Sequence, residues 1–199
     1  MRETEITIQI FEDLESIFKK VRDSGFEEDS HYYVNDWYFS GLDTSHQIEY
    51  NKLLKNSFLL RQIVEENEIT NYLVYKDKEI DENGNVLSED KIKVTLSSID
   101  DALKVFKKSN TNCWCELHQS IYVVKKGKIK FTIQQIQDLG NFIEYEEDES
   151  MKDMSTKEKR EFMLSQIQKL NLDMSSSISC KKVYMKYLQG LNNKDKTIN

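Results

Sequence analysis

The segment ETEITIQI, residues 3–10, alternates strictly between polar and apolar, and its reading decides the fold. Successive side chains of a strand point to opposite faces, so Ile6, Ile8 and Ile10 share one side while Glu3, Glu5 and Thr7 share the other. The apolar side predicts a strand packed on a core. The other side sets two carboxylates together where a solvated strand more often mixes its charges. A second such strand lies far along the chain: in NFIEYEE, residues 141–147, Glu144 and Glu146 share one face and Ile143 and Tyr145 the other. If the two strands are neighbours, four carboxylates converge, more like charge than a confined space holds unpaired.

A divalent cation, Mg2+ or Mn2+, resolves that conflict, because hard cations prefer oxygen ligands. The strands between the two acidic segments carry the complement. Arg61 sits between Leu60 and Gln62, Lys76 closes TNYLVYK, Lys91 and Lys93 share a face, and so do Lys128 and Lys130. Acids on one wall and fixed cations on the others suit a polyphosphate bridged by metal, since arginine grips phosphate through two bonds and lysine as a point charge. The matching chemistry is phosphoryl or nucleotidyl transfer. The competing reading of the same residues is an ordinary solvated strand face, and for the run from Lys125 to Lys130 a solvated hairpin.

Strand signals dominate the chain between these ends. HYYVNDWYFSG, FLLRQIVEEN, TNYLVYKDKEI, DKIKVTL, CWCELHQSIYVV and KIKFTIQQIQ read as strands, with DENGN, residues 81–85, as a turn. FEDLESIFKKVRDSG has apolar residues at helical spacing and ends on Gly25, a C-cap, and SSIDDALKVFKKS has an N-cap serine, early acids and late lysines. From Thr156 onward the pattern is helical. About eight antiparallel strands joined by short turns predict an α+β fold, an eight-stranded closed β-barrel with flanking helices. The chain reads as a single domain over residues 1–190 followed by a polar tail, 191–199.

Composition narrows the function classes. With 199 residues, 38% hydrophobic and 32% charged, the sequence is that of one globular domain. A net charge of −7 argues against holding nucleic acid by bulk electrostatics. No apolar run reaches membrane-spanning length, and the start lacks a signal-peptide pattern, which predicts a cytoplasmic protein without a membrane partner. Cys113, Cys115 and Cys180 have neither zinc-site nor CxxC spacing. His118 points, by parity, away from Gln119 and reads as a packing or surface histidine.

The order of ETEITIQI, DWYF, LLRQI, YLVYK, SSIDDALKVF, QSIY, IQDLGNFIEYE and KKVYMKYL resembles the CYTH family, the triphosphate tunnel metalloenzymes that include class IV adenylyl cyclases and thiamine triphosphatases. The likeness runs from about Glu3 to Leu188 and is most specific at the N-terminal Glu-x-Glu and at the block that matches an LG-x-F-x-E-x-E ending. It implies a barrel enclosing a tunnel, with Glu3, Glu5, Glu144 and Glu146 as metal ligands and Glu3 and Glu5 at the catalytic centre. It also implies that Arg61 and Lys76 bind the substrate; Lys91 and Lys93, which stand where the family often has acids, and Lys130 join them as substrate-binding candidates from the strand reading alone. The partner implied is a nucleoside triphosphate or inorganic polyphosphate, and by family analogy the chain forms a homodimer.

Several positions depart from the family pattern. Thr7 stands where a lysine is usual, Leu117 and Gln119 where Lys-x-Arg is usual, and Gln134 where an acid is usual. Removing a single transition-state donor commonly costs about 100-fold in rate or more. Two functions therefore compete. One is a metal-dependent triphosphate enzyme, either a cyclase making cyclic AMP or a hydrolase. The other is a degenerate member that binds nucleotide or polyphosphate without efficient catalysis.

Overall fold

The computed structural model describes residues 4–80 and 86–197. Strands β1 (Glu5–Ile10), β2 (Glu27–Ser40), β3 (Ser57–Glu65), β4 (Glu68–Ile80), β5 (Val86–Leu96), β6 (Asn112–Lys126), β7 (Ile129–Ile136) and β8 (Gly140–Glu146) alternate with helices α1 (Leu14–Asp23), α2 (Tyr50–Lys55), α3 (Ile99–Lys108), α4 (Thr156–Gln168) and α5 (Lys182–Thr197). Every ladder is antiparallel, and the sheet order is β1-β8-β7-β6-β2-β3-β4-β5. Glu3 and the turn expected at residues 81–85 lie outside the described residues.

The first and last strands are neighbours. Glu5 lies opposite Glu146, Thr7 opposite Glu144 and Ile8 opposite Ile143. Because the side-chain period is two, this register sends the acids of both strands to one face and their isoleucines to the other. The apolar face is buried outside the curl of the sheet: Ile6, Ile8, Ile10, Ile133, Ile143 and Tyr145 form a core with Ile17 and Val21 of α1 and Met163 and Ile167 of α4. A second outer cluster seats α3 through Ile99 on Phe39 and Leu60. A third cluster, with Leu59, Trp114, Leu117, Phe142 and Tyr187, packs α5 against the strands.

The barrel expected from the sequence is not closed by hydrogen bonds. The sheet has two ends, β1 and β5, and no ladder joins them among the described residues. The reason lies in what already pairs with β1. A strap over residues 173–180 takes its free edge: Phe11 donates to Asp173 O at 2.9 Å, Ser175 to Gln9 O at 2.9 Å, Thr7 to Ile178 O at 3.1 Å, and Cys180 to Thr7 O at 2.9 Å. The sheet nonetheless curls until its ends approach, and Lys91 Nζ of β5 lies 3.7 Å from Glu146 Oε1 of β8.

Local chemistry explains most helix ends. Asp13 caps α1 by accepting from Ser16 N at 2.8 Å, and Gly25 follows it at φ +80°, a conformation that favours glycine. Helix α2 has no serine or aspartate at its start; Glu49 caps it instead, accepting from the N–H groups of Asn51 and Lys52, which is why no helix was legible there. The polar tail expected after Gly190 is helical at least to Thr197, since α5 continues through the glycine and Leu191 packs with Leu188 on the third cluster. Among the described residues no helix is long and apolar enough to cross a membrane.

Burial separates positions that matter to stability from those that do not. Ile143 is 0% exposed and Ile69 is 60% exposed. We expect Ile143→Ala to cost about 2–5 kcal/mol in urea unfolding and Ile69→Ala less than about 0.5 kcal/mol. Equal losses would contradict the placement of the core.

Candidate functional site

The inner face of the curled sheet surrounds a cavity to which all eight strands and the start of α5 contribute. Its acidic wall is the β1–β8 pair. Glu5, Glu144 and Glu146 each offer a carboxylate oxygen, and these oxygens lie within 4.8 Å of one another. Glu144 accepts from Lys182 Nζ at 2.7 Å and from Thr7 Oγ1 at 3.3 Å. Lys182 Nζ also donates to Gln134 Oε1 at 2.6 Å. Burial pushes the Glu144 carboxyl up, but the charge and hydrogen bond of Lys182, with the charges of Lys76 and Arg61, outweigh it and hold the group at about 2. Burial likewise pulls Lys182 down, and Glu144 outweighs it, so the ammonium stays charged above its ordinary range.

The opposite wall carries the arginine. Arg61 donates from Nε to Asp36 Oδ1 at 2.7 Å and from Nη2 to Asp36 Oδ2 at 2.6 Å, a bidentate pair with an aspartate only 1% exposed. Gln119 Nε2 donates to the same Oδ2 at 3.3 Å. The pair arises from the β2–β3 register, in which Asp36 faces Arg61. Lys76 and Lys91, opposite each other on β4 and β5, also line the cavity. Its remaining wall is apolar and aromatic, including Tyr38, Leu59 and Val74.

Not every basic residue expected at the site is found there. Lys93 has the inward parity of Lys91, yet its Nζ lies 3.5 Å over the Tyr72 ring and it does not line the cavity. Lys130 shares a face with Thr132 and Gln134 but sits near the β6–β7 turn, 60% exposed and 3.4 Å from Asp29. Periodicity gives the face of a strand; it does not give depth along the strand. His118 stands on the outer surface, where Nδ1 is 2.8 Å from Asn35 Oδ1. Two residues the sequence reading did not single out are central: Asp36, which holds Arg61, and Lys182, which reaches Glu144 from outside the strands. Thr7, Gln119 and Gln134 all line the cavity, whereas Leu117 belongs to the apolar cluster beneath α5.

The donor chemistry of the acidic wall fits a hard divalent cation. All three groups are carboxylates, and Mg2+ and Mn2+ bind through oxygen while retaining several waters. Glu5 lies opposite Glu146, which is 53% exposed, with Glu144 two residues along the same strand, so these three residues would hold such an ion in a cavity that Arg61, Lys76 and Lys91 also line.

No protein-family model matches the chain, and no curated sequence is similar enough to it to count as a relative. Solved structures do share its fold. The PH1819 protein of Pyrococcus horikoshii OT3 aligns over 94% of this chain and 98% of its own, with a TM-score of 0.67 and 18% identity. A candidate adenylate cyclase from Vibrio parahaemolyticus aligns over 95% and 98%, with a TM-score of 0.61 and 14% identity. A candidate adenylyl cyclase from Hippeastrum, described as having a dominant triphosphatase activity, aligns over 94% and 96%, with a TM-score of 0.55 and 10% identity. At these identities the likeness is one of fold.

The Glu144 environment sets an acid limit on stability. A carboxyl held below its unfolded value, about 4.5, contributes fully above that value and loses its contribution as pH falls through about 2. We expect Glu144→Gln to be clearly less stable than the parent near neutrality, and the gap to narrow as the pH is lowered from about 5 toward about 2. Thermal melting of both proteins across that range checks it; a gap independent of pH would place the ionised pair elsewhere.

Proposed function

We propose that this protein is a divalent-metal-dependent enzyme acting on an organic triphosphate, in keeping with its resemblance to the CYTH family. The observation that carries the reading is the meeting of Glu5, Glu144 and Glu146 on one wall of a cavity whose other walls present Arg61, Lys76 and Lys91. The named activities of the Vibrio and Hippeastrum proteins support it as analogies of fold. The apolar wall around Tyr38, Leu59 and Val74 supports a substrate with a nucleoside or other ring group over bare phosphate.

In this reading Glu5, Glu144 and Glu146 hold Mg2+ or Mn2+, which when bound polarises a phosphoryl oxygen and offsets developing charge. Glu3 joins them by the same resemblance. Arg61, fixed in orientation by Asp36 and Gln119, and Lys76 and Lys91 bind the phosphate oxygens and hold the chain of phosphates in line. The products are cyclic AMP and diphosphate in a cyclase, or a released phosphate in a hydrolase.

A second reading, binding without efficient turnover, draws on a specific observation: Arg61 and Glu144 are each already paired within the chain. A panel of ATP, GTP, thiamine triphosphate and tripolyphosphate with Mg2+ or Mn2+, scored separately for phosphate, diphosphate and cyclic nucleotide, separates the two. We expect metal-dependent product that falls about 100-fold or more in Glu5→Gln and Glu146→Gln. We also expect Arg61→Ala to weaken triphosphate binding by about 1.5–3 kcal/mol in calorimetry. Tight binding with no product would favour the second reading; no binding of any triphosphate would overturn both.

A further inference from the structure

We propose that Lys182 is a resident cation of the acidic wall, which competes with a divalent ion for Glu144 and yields it when a polyphosphate enters. The inference rests on the metal reading of Glu5, Glu144 and Glu146. Its basis is the double use of one carboxylate. Glu144 belongs to the trio of convergent oxygens, and it is also the partner of Lys182 at 2.7 Å. The lysine is anchored from its other side by Gln134 Oε1 at 2.6 Å, so its ammonium bridges β7 and β8. The Lys182 and Glu144 side chains are only 20% and 13% exposed, which leaves little water to screen one cation from another.

A divalent ion approaching this wall alone must therefore displace Lys182 or sit beside its charge. A polyphosphate changes the balance by bringing new anionic oxygens into the cavity. Lysine has a flexible four-carbon stem and can turn from carboxylate to phosphate without moving the backbone. The backbone itself is fixed: Lys182 is the first residue of α5, and the strap immediately before it is hydrogen-bonded to β1 through Thr7 and Cys180. Metal and polyphosphate then each favour the state in which Lys182 has left Glu144. By linkage each strengthens the binding of the other, and removing the lysine removes that part of the coupling.

The test measures Mn2+ binding to the full chain by electron paramagnetic resonance and calorimetry, with Mn2+ alone and with saturating tripolyphosphate at matched free Mn2+. We expect Lys182→Met and Lys182→Gln to bind Mn2+ alone about tenfold more tightly than the parent, and Lys182→Arg to stay near it. We expect the gain in Mn2+ affinity produced by tripolyphosphate to shrink in Met and Gln variants shown by melting curves to be folded. Unchanged or weaker Mn2+ binding in both folded variants, or an undiminished gain from tripolyphosphate, would overturn the competition. Glu146→Gln separates this from failure of the parent reading. If it abolishes Mn2+ binding while Lys182→Met has no effect, only the competition fails; if Mn2+ binds equally well without Glu146, or binds to no variant, the metal reading fails and the competition with it.

Discussion

Like charge in a confined space is the constraint on which the cavity depends. The β1–β8 register brings carboxylate oxygens of Glu5, Glu144 and Glu146 within 4.8 Å of one another, a repulsion that cations close by offset. The fold supplies them from three directions. Lys182 comes from the start of α5, Lys91 crosses from the opposite edge of the sheet to Glu146, and Lys76 stands beside it on β4. Some of the contacts that draw the two ends of the sheet together are thus the same contacts that neutralise the acidic wall.

The strap over residues 173–180 turns that electrostatic arrangement into a defined geometry. It satisfies backbone groups on the outer edge of β1 that would otherwise face a gap or pair with another chain. It also delivers the chain to Lys182 at a fixed height beside Thr7 and Gln134. A sheet closed by a direct β1–β5 ladder would leave no edge for the strap and no such route for a lysine to Glu144. The open seam and the position of Lys182 are two consequences of one set of hydrogen bonds.

Much of this was legible from the chain. Alternation in ETEITIQI and NFIEYEE gave the inward face of Glu5, Glu144 and Glu146, and the structure pairs the two strands. Alternation could not give depth, because every second residue of a strand shares a face whether it sits over the cavity or beyond it. Lys91 and Lys93 differ by one such step, and only Lys91 lines the cavity; Lys130 fails in the same way at the β6–β7 turn. Nor could local pattern show that Asp36 faces Arg61, since that depends on the β2–β3 register across a helix, α2, whose glutamate cap carries no strong signal. Lys182 was hidden for a different reason: it lies on a helix, outside the strand logic that located the other charges.

Three of the positions that depart from the resemblance acquire a physical meaning once these partners are known. Thr7, where the resemblance implies a lysine, donates a hydroxyl to Glu144, and the neighbouring positive charge comes from Lys182. Gln134, where it implies an acid, is a neutral acceptor for that same ammonium; a carboxylate there would bind Lys182 more strongly and add a fourth negative group to the described wall. Gln119, where it implies an arginine, donates to Asp36 and helps fix Arg61; a second guanidinium would compete with Arg61 for one carboxylate. Thr7, Gln134 and Gln119 are therefore each tied to a charged side chain, whereas Leu117 packs in the apolar cluster beneath α5. The inner surface keeps its ions in pairs, Asp36 with Arg61 and Glu144 with Lys182, and a polyanion entering it must exchange pairs instead of meeting bare charge. In the proposed reading, a chain of phosphates with a divalent ion would suit the Glu144–Lys182 pair, because the ion would offset the carboxylate that the lysine leaves while phosphate oxygens would take the lysine.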